Sequence, residues 1–168
     1  SLRSQQLTSQ LLAFARKGKY EMRPVDLCET INKTIDMLNR TVDKKIELKR
    51  FYESSDVFIS GDHLQLENAL LNLALNARDA MPDGGSIQFS IRKSDISNSV
   101  AKSLEISPGL YALLSVSDTG TGISDEVKNH MFEPFFTTKG VGKGTGLGLA
   151  SVYGTVKGHN GSISVNSE

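Results

Sequence analysis

The sequence predicts an α/β chain in which helices and strands are interleaved. Three observations carry that expectation. Apolar residues recur at helical spacing over Leu27–Val42 and again over His63–Met81. They alternate with polar residues over Ile46–Tyr52 and Ser86–Arg92, the period of a half-buried strand. The apolar run from Leu110 to Ser117 reads as a buried strand that ends at Asp118.

Taken in order, Ser1–Lys17 is the first expected helix, with Leu7, Leu11, Phe14 and Ala15 on one face and Gly18 as its stop signal. A helix this short is marginal alone, so its apolar face is expected either to cap the end of the domain or to form half of a helical pairing, and the linker that follows favours the second. The polar stretch Gly18–Arg23 reads as a linker ending at Pro24. Asp26 is the expected N-cap of a helix whose face is Leu27, Ile31, Ile35, Leu38 and Val42. Strands Ile46–Tyr52 and Val57–Ser60 follow, and Asp62 caps the helix from His63 to Met81. Pro82-Asp83-Gly84-Gly85 is a turn, and Lys93–Pro108 is expected as a polar surface loop. Ser124 or Asp125 caps a short helix through Met131. The last elements are a helix over Leu147–Lys157 and a strand begun by Ile163 and Val165.

Composition narrows the function classes. Nineteen basic residues balance nineteen acidic ones, so net charge implies no nucleic-acid or other polyanion partner. No apolar run approaches the roughly 20 residues that span a bilayer. The single Cys28 excludes an internal disulfide and suits a reducing compartment. His63, His130 and His159 lack metal-ligand spacing.

Two stretches carry chemistry. The helix His63–Met81 is mostly apolar, yet Gln65, Asn68, Asn72, Asn76 and Asp79 follow at steps of three, four, four and three, which puts all five on one face. A solvated face would use Glu, Lys and Arg; each Asn costs roughly 0.7 kcal/mol relative to Ala in a helix. A carboxamide oxygen is a hard, neutral ligand suited to Mg²⁺. The second stretch, Asp118–Ala150, holds seven of the fifteen glycines. One cluster follows a strand, Asp118-Thr-Gly-Thr-Gly-Ile123. The other, Gly142-Lys-Gly-Thr-Gly-Leu-Gly148, opens a helix, where free N–H groups and the helix dipole favour an anion. It is neither a P-loop nor a dinucleotide fingerprint, since Lys143 is followed by Gly144 and a Phe-rich segment precedes it. The competing reading is a long flexible loop.

The order Asn72-Leu-Ala-Leu-Asn76-Ala77, Asp118-Thr-Gly-Thr-Gly-Ile123, Phe132-Glu-Pro-Phe-Phe136 and Gly144-Thr-Gly-Leu-Gly148 resembles the ATP-binding domain of sensor histidine kinases, in the GHKL superfamily shared with gyrase B, the Hsp90 chaperones and MutL. The resemblance implies an α/β two-layer sandwich over 25–168, a mixed sheet with helices on one face. It is preceded, over 1–20, by the C-terminal helix of a dimerisation hairpin. It further implies that Asp118 accepts the adenine amine, that Gly120 and Gly122 let the backbone pass the base beside Ile123, and that Asn76 ligates Mg²⁺ with Asn72 in the same pocket. Asp79 carries two readings, a pocket residue near the adenine and a structural residue at the helix end. Gly144, Thr145, Gly146, Leu147 and Gly148 would hold phosphates. Lys139 and Lys143 are candidate γ-phosphate contacts, set against the plainer reading of exposed loop lysines. Phe132, Phe135 and Phe136 would anchor the lid, as ordinary core residues also would.

The ATPase relatives carry Glu where this chain has Asn72, and an amide is no general base at neutral pH. The resemblance therefore implies a kinase that binds ATP and Mg²⁺ and gives its γ-phosphoryl to an external His. That His lies on a helix not in this sequence, and transfer onward is to an Asp of a response-regulator receiver domain. It implies a homodimeric, cytoplasmic domain whose parent protein can be membrane-anchored, and a closing strand after Glu168. A non-catalytic ATP-sensing module and a GHKL-type ATPase are the alternatives.

Overall fold

A computed structural model describes residues 20–140 and 144–167. The expected helix Ser1–Lys17 and the loop residue Lys143 lie outside the described residues. In chain order the elements are β1 (Arg23–Asp26), α1 (Leu27–Asn39), β2 (Ile46–Tyr52), β3 (Phe58–Gly61), α2 (His63–Asp79), β4 (Gly85–Ile96), α3 (Asn98–Leu104), β5 (Gly109–Asp118), α4 (Asp125–His130) and α5 (Gly148–Gly158).

The sheet is mixed, as expected. β2 pairs parallel with β4 from Ile46↔Gly85 to Tyr52↔Ile91, and β4 pairs antiparallel with β5 from Ile87↔Asp118 to Ile96↔Gly109. β1 and β3 form a separate antiparallel ribbon, Arg23↔Gly61 to Asp26↔Phe58. Period-two alternation turns Ile87, Phe89 and Ile91 of β4 inward, all at most 1 % exposed, and their β5 partners Leu114 and Val116 pack on the same side. Against them lie Leu27, Ile31, Ile35 and Leu38 of α1 and Leu70, Ala74 and Ala77 of α2. Each fully buried large side chain here contributes about 1.5–3 kcal/mol. Thr30 and Thr34 are also buried, and their hydroxyls donate to the carbonyls of Asp26 and Thr30, which leaves no polar atom stranded.

The expected caps are present. Asp26 accepts the N–H groups of Cys28 and Glu29, Asp62 accepts that of Gln65, and Ser124 that of Val127. α2 is the central helix, in contact with α1, α5, β4 and β5.

Three expectations are corrected. The polar segment Lys93–Pro108 is not a loop: β4 runs on to Ile96, paired with β5, and α3 follows. Both faces of that arm meet solvent, so it lacks the apolar alternation that marks a half-buried strand. Arg23 and Pro24 belong to β1 rather than to a linker; the ribbon pairs them only with β3, and Pro is tolerated on such an edge. Residues 161–167 form no ladder. Instead the Ser167 hydroxyl accepts the Ile123 N–H at 2.7 Å, and its carbonyl accepts Lys128 Nζ at 3.1 Å. His159 is half-buried, and its Nε2 accepts the backbone N–H of Asp62 at 2.9 Å.

Candidate active site

The polar stripe of α2 faces α5 at Gln65 and Asn72 and reaches solvent at Asp79. Asn72 is 9 % exposed, and its Oδ1 lies 3.5 Å from the point where a Cβ on Gly148 would sit. Two turns earlier on the stripe, Gln65 Oε1 accepts the Thr155 hydroxyl of α5 at 3.5 Å. The stripe therefore runs under the whole of α5, and its C-terminal end, Asn76 and Asp79, opens beside the first turn of that helix. The N-cap residue of α5 is Leu147, which is buried and has no side-chain acceptor to offer the first-turn N–H groups. The Thr145 hydroxyl accepts the Leu147 N–H at 3.3 Å.

Asp118 ends β5. Its Oδ1 accepts the Gly120 N–H at 2.8 Å, which closes an Asx turn and leaves the carboxylate at the exposed rim. The turn is pressed onto the end of α2. Thr121 N–H donates to the Ala80 carbonyl at 3.1 Å, and a Cβ on Gly120 would stand 2.7 Å from that of Ala80 and 2.8 Å from its carbonyl oxygen. Only glycine fits so close a backbone approach. Thr119 reinforces it, with its N–H donating to the Ser86 carbonyl and its hydroxyl accepting the Ser86 N–H. Gly122 has φ 74, and Ile123 is half-buried.

The Phe-rich segment divides. Phe132 stacks on Tyr153 of α5 with centroids 5.5 Å apart, and Phe136 on His130 at 5.7 Å. Phe135 is not an anchor: it is 71 % exposed and has φ 69. Its N–H donates to the Gly146 carbonyl at 2.9 Å, and a Cβ on Gly146 (φ 65) would collide with the Phe135 backbone. Those two strained residues clip the Phe segment to the start of α5.

Lys139 extends from this segment to the α2 stripe. Its Nζ donates to Asp79 Oδ2 at 2.5 Å and to Asn76 Oδ1 at 3.2 Å. Asp79 Oδ1 accepts Arg78 Nε at 2.8 Å and Nη2 at 2.6 Å. Burial pushes the Asp79 carboxyl up, but the hydrogen bonds and charges of Lys139 and Arg78 together outweigh it and hold the group below the usual carboxylate range.

The donor set suits Mg²⁺. Asn76 Oδ1 is a hard neutral oxygen that already receives a positive group, the Lys139 ammonium. Among the described residues no three His, Cys, Asp or Glu cluster. Asn72, Asn76, Asp79, Gly148 and Lys139 are thus brought together, with Gly144 packed on Lys139 and Thr137. Asp118, Gly120 and Gly122 sit at the other end of the same site, past Ala80. Sequence reasoning missed Thr119 and Arg78. Thr119 carries no pattern, and Arg78 is visible only as the neighbour of Asp79.

A family model described as histidine kinase-, DNA gyrase B-, and HSP90-like ATPase matches residues 61–168. The chain is similar to the sensor kinase CckA of Brucella abortus (strain 2308), 43 % identical over 169 residues, which is 99 % of this chain and 18 % of that protein. It is similar to sporulation kinase A of Bacillus subtilis (strain 168), 37 % identical over 73 % of this chain and 18 % of the relative. It therefore spans about a fifth of the length of these curated relatives. The solved mycobacterial sensor histidine kinase MprB matches with a TM-score of 0.66 and 28 % identity, over 82 % of this chain and 80 % of that one.

Proposed function

The chain belongs to the histidine kinase-, DNA gyrase B- and HSP90-like ATPase family, as an ATP-binding catalytic domain of the sensor histidine kinase type, and from that premise we propose how its residues serve phosphoryl transfer. ATP lies between the α2 stripe and the start of α5. The γ-phosphoryl leaves ADP and forms a P–N bond with the imidazole of a His on a separate helix, whose proton passes to solvent. From there it moves to an Asp of a response-regulator receiver. The parent protein acts as a homodimer. Among the described residues no helix is long and apolar enough to cross a membrane.

The observation that carries the reading is Asn72, buried under Gly148 on the stripe that leads to Asn76. A carboxamide there orients a polar ligand but takes no proton from water, so the bound nucleotide is spared hydrolysis. At the far end the Asp118 carboxylate accepts the adenine amine and repels the carbonyl that guanine carries there. The N–H groups of the first turn of α5 receive phosphate oxygens. Mg²⁺ at Asn76 Oδ1 supplies charge neutralisation of the phosphates when bound. What remains for this domain is positioning and electrostatics, which dominate phosphoryl transfer.

Calorimetric titration with MgATP and MgGTP tests the site, beside Asp118→Asn. That variant keeps the Gly120 turn but replaces the carboxylate acceptor by an amide. We expect ATP binding, little GTP binding, and at least about tenfold weaker ATP binding in the variant, the order of one charge-assisted hydrogen bond. A folded chain that binds neither nucleotide overturns the assignment. Transfer of label from ATP to an added His-bearing helical hairpin tests the kinase reading itself.

A further inference from the structure

The ammonium of Lys139 sits where the nucleotide reading puts the metal. It is 3.2 Å from Asn76 Oδ1 and 2.5 Å from Asp79 Oδ2, sixty residues and more away in sequence. The side chain is directed there rather than left to solvent. The Lys139 N–H donates to Thr137 Oγ1 at 3.1 Å, and Gly144 packs so closely that a Cβ on it would lie 3.2 Å from Lys139 Cβ and 2.7 Å from Thr137 Oγ1. The Lys139 side chain is 35 % exposed and that of Asp79 31 %, so the pair is partly shielded. Lys139 is not the sole partner of Asp79, because Arg78 gives two hydrogen bonds to its other oxygen.

We propose that Lys139 is a tethered cation which holds the Asn76 oxygen in the nucleotide-free protein, that Asp79 is the residue positioning it, and that MgATP entry exchanges the ammonium for the metal. The proposal rests on the nucleotide reading of the site. A dication on Asn76 Oδ1 and an ammonium on the same oxygen repel each other at a spacing where like charges are poorly screened. One must leave, and the flexible four-carbon stem of Lys139 lets it go. Its departure leaves no bare carboxylate, since Arg78 stays on Asp79. The tether keeps a polar, positively charged occupant in the site while no phosphate is present, and makes nucleotide affinity depend on how strongly Asp79 holds it.

A contact made only in the nucleotide-free state has a signature that a permanent ion pair lacks. The dissociation constant of MgATP is measured for the wild type, Asp79→Asn, Lys139→Gln and the double variant, with circular dichroism to verify folding. Lys139→Arg is included as a conservative replacement. The expected result is that the two single effects do not multiply: the double variant departs from their product by at least about threefold, as groups in direct contact do. Lys139→Arg follows the wild type in a cycle with Asp79→Asn. The same substitutions are coupled in thermal melts without nucleotide and uncoupled with saturating MgATP. Single effects that multiply within error, or melts equally coupled with and without MgATP, overturn the proposal. If the wild type binds no MgATP, the nucleotide reading fails on its own. Coupling in nucleotide-free melts would then mark a plain structural ion pair, and the exchange falls with it.

Discussion

The His159 imidazole accepts the backbone N–H of Asp62, ninety-seven residues upstream, at 2.9 Å, while its Nδ1 lies 2.7 Å from the Thr155 carbonyl. The two contacts fix one neutral tautomer, with the proton on Nδ1 donated to Thr155 and Nε2 as acceptor. Asp62 is in turn tied three ways: its Oδ1 caps α2 through Gln65, its Oδ2 accepts the Glu21 N–H at 3.1 Å, and its N–H is held by His159. The start of α2, the end of α5 and the segment before β1 meet at this point.

Replacing His159 by Phe keeps an aromatic body beside Tyr20 but removes the acceptor, and strands a half-buried N–H. Urea unfolding should show a loss of about 1–3 kcal/mol. His159→Gln, whose carbonyl can reach the same donor, should recover part of it. Equal losses in both variants would mean that packing, not the hydrogen bond, is what matters there.

Gly146→Ala and Gly154→Ala should move in opposite directions. At Gly146 the positive φ and the collision with Phe135 both oppose a methyl, so the variant should lose about 1–2 kcal/mol of stability or more, and MgATP binding with it. At Gly154, inside α5, a Cβ would meet nothing within 4 Å. That variant should gain about 0.5–1 kcal/mol. Thermal melts of the two side by side decide it; a stable Gly146→Ala would remove the clip between the Phe segment and α5.

Asp79 carries an acid dependence. Its folded carboxyl is held below the ordinary value by Lys139 and Arg78 against the opposing effect of burial. The unfolded chain therefore binds the proton first as pH falls. The contribution is present above the unfolded value of about 3.9 and is lost as pH drops through the lower folded one. Stability of the wild type should consequently fall more steeply below about pH 4 than that of Asp79→Asn. Parallel profiles would show that the carboxylate gains nothing from its two cations.

Cys28 is 7 % exposed, and its thiol is pushed up by burial first and by the Asp26 charge second. The thiolate is the nucleophile, so native protein at pH 8 should react with iodoacetamide at least about tenfold more slowly than in urea. Equal rates would place the thiol in solvent.

How far the sequence reads depends on which residues face one packed surface. The α2 stripe was legible because Asn72 and Asn76 interrupt an apolar helix at one fixed step, and the structure puts Asn72 under α5 and Asn76 against Lys139. Asp118, Gly120 and Gly122 were legible because an Asx turn followed by glycines has a local signature. The distal half of β4 was not: Arg92, Lys93, Ser94 and Asp95 pair with β5 in the open, and the pairing is made by backbone groups that leave no mark on side-chain choice. Lys139 was legible as a candidate cation, but not its direction, which is set by Thr137 and Gly144 packing against it. His159 and Tyr20 meet only because the chain folds back over most of its length, and no local spacing encodes that.

Tyr20 lies along α5, its hydroxyl 3.4 Å from the Gly154 carbonyl and its ring so close to Gly158 that a methyl there would collide. The ring also meets His159 edge-on, with centroids 5.3 Å apart. It therefore grips one end of a rod of eleven residues, about 16 Å long, whose other end is Gly148 above Asn72. A helix is stiff over that distance. The Tyr20 contacts at one end of α5 and the Gly148 contact above Asn72 at the other are therefore carried by one stiff element.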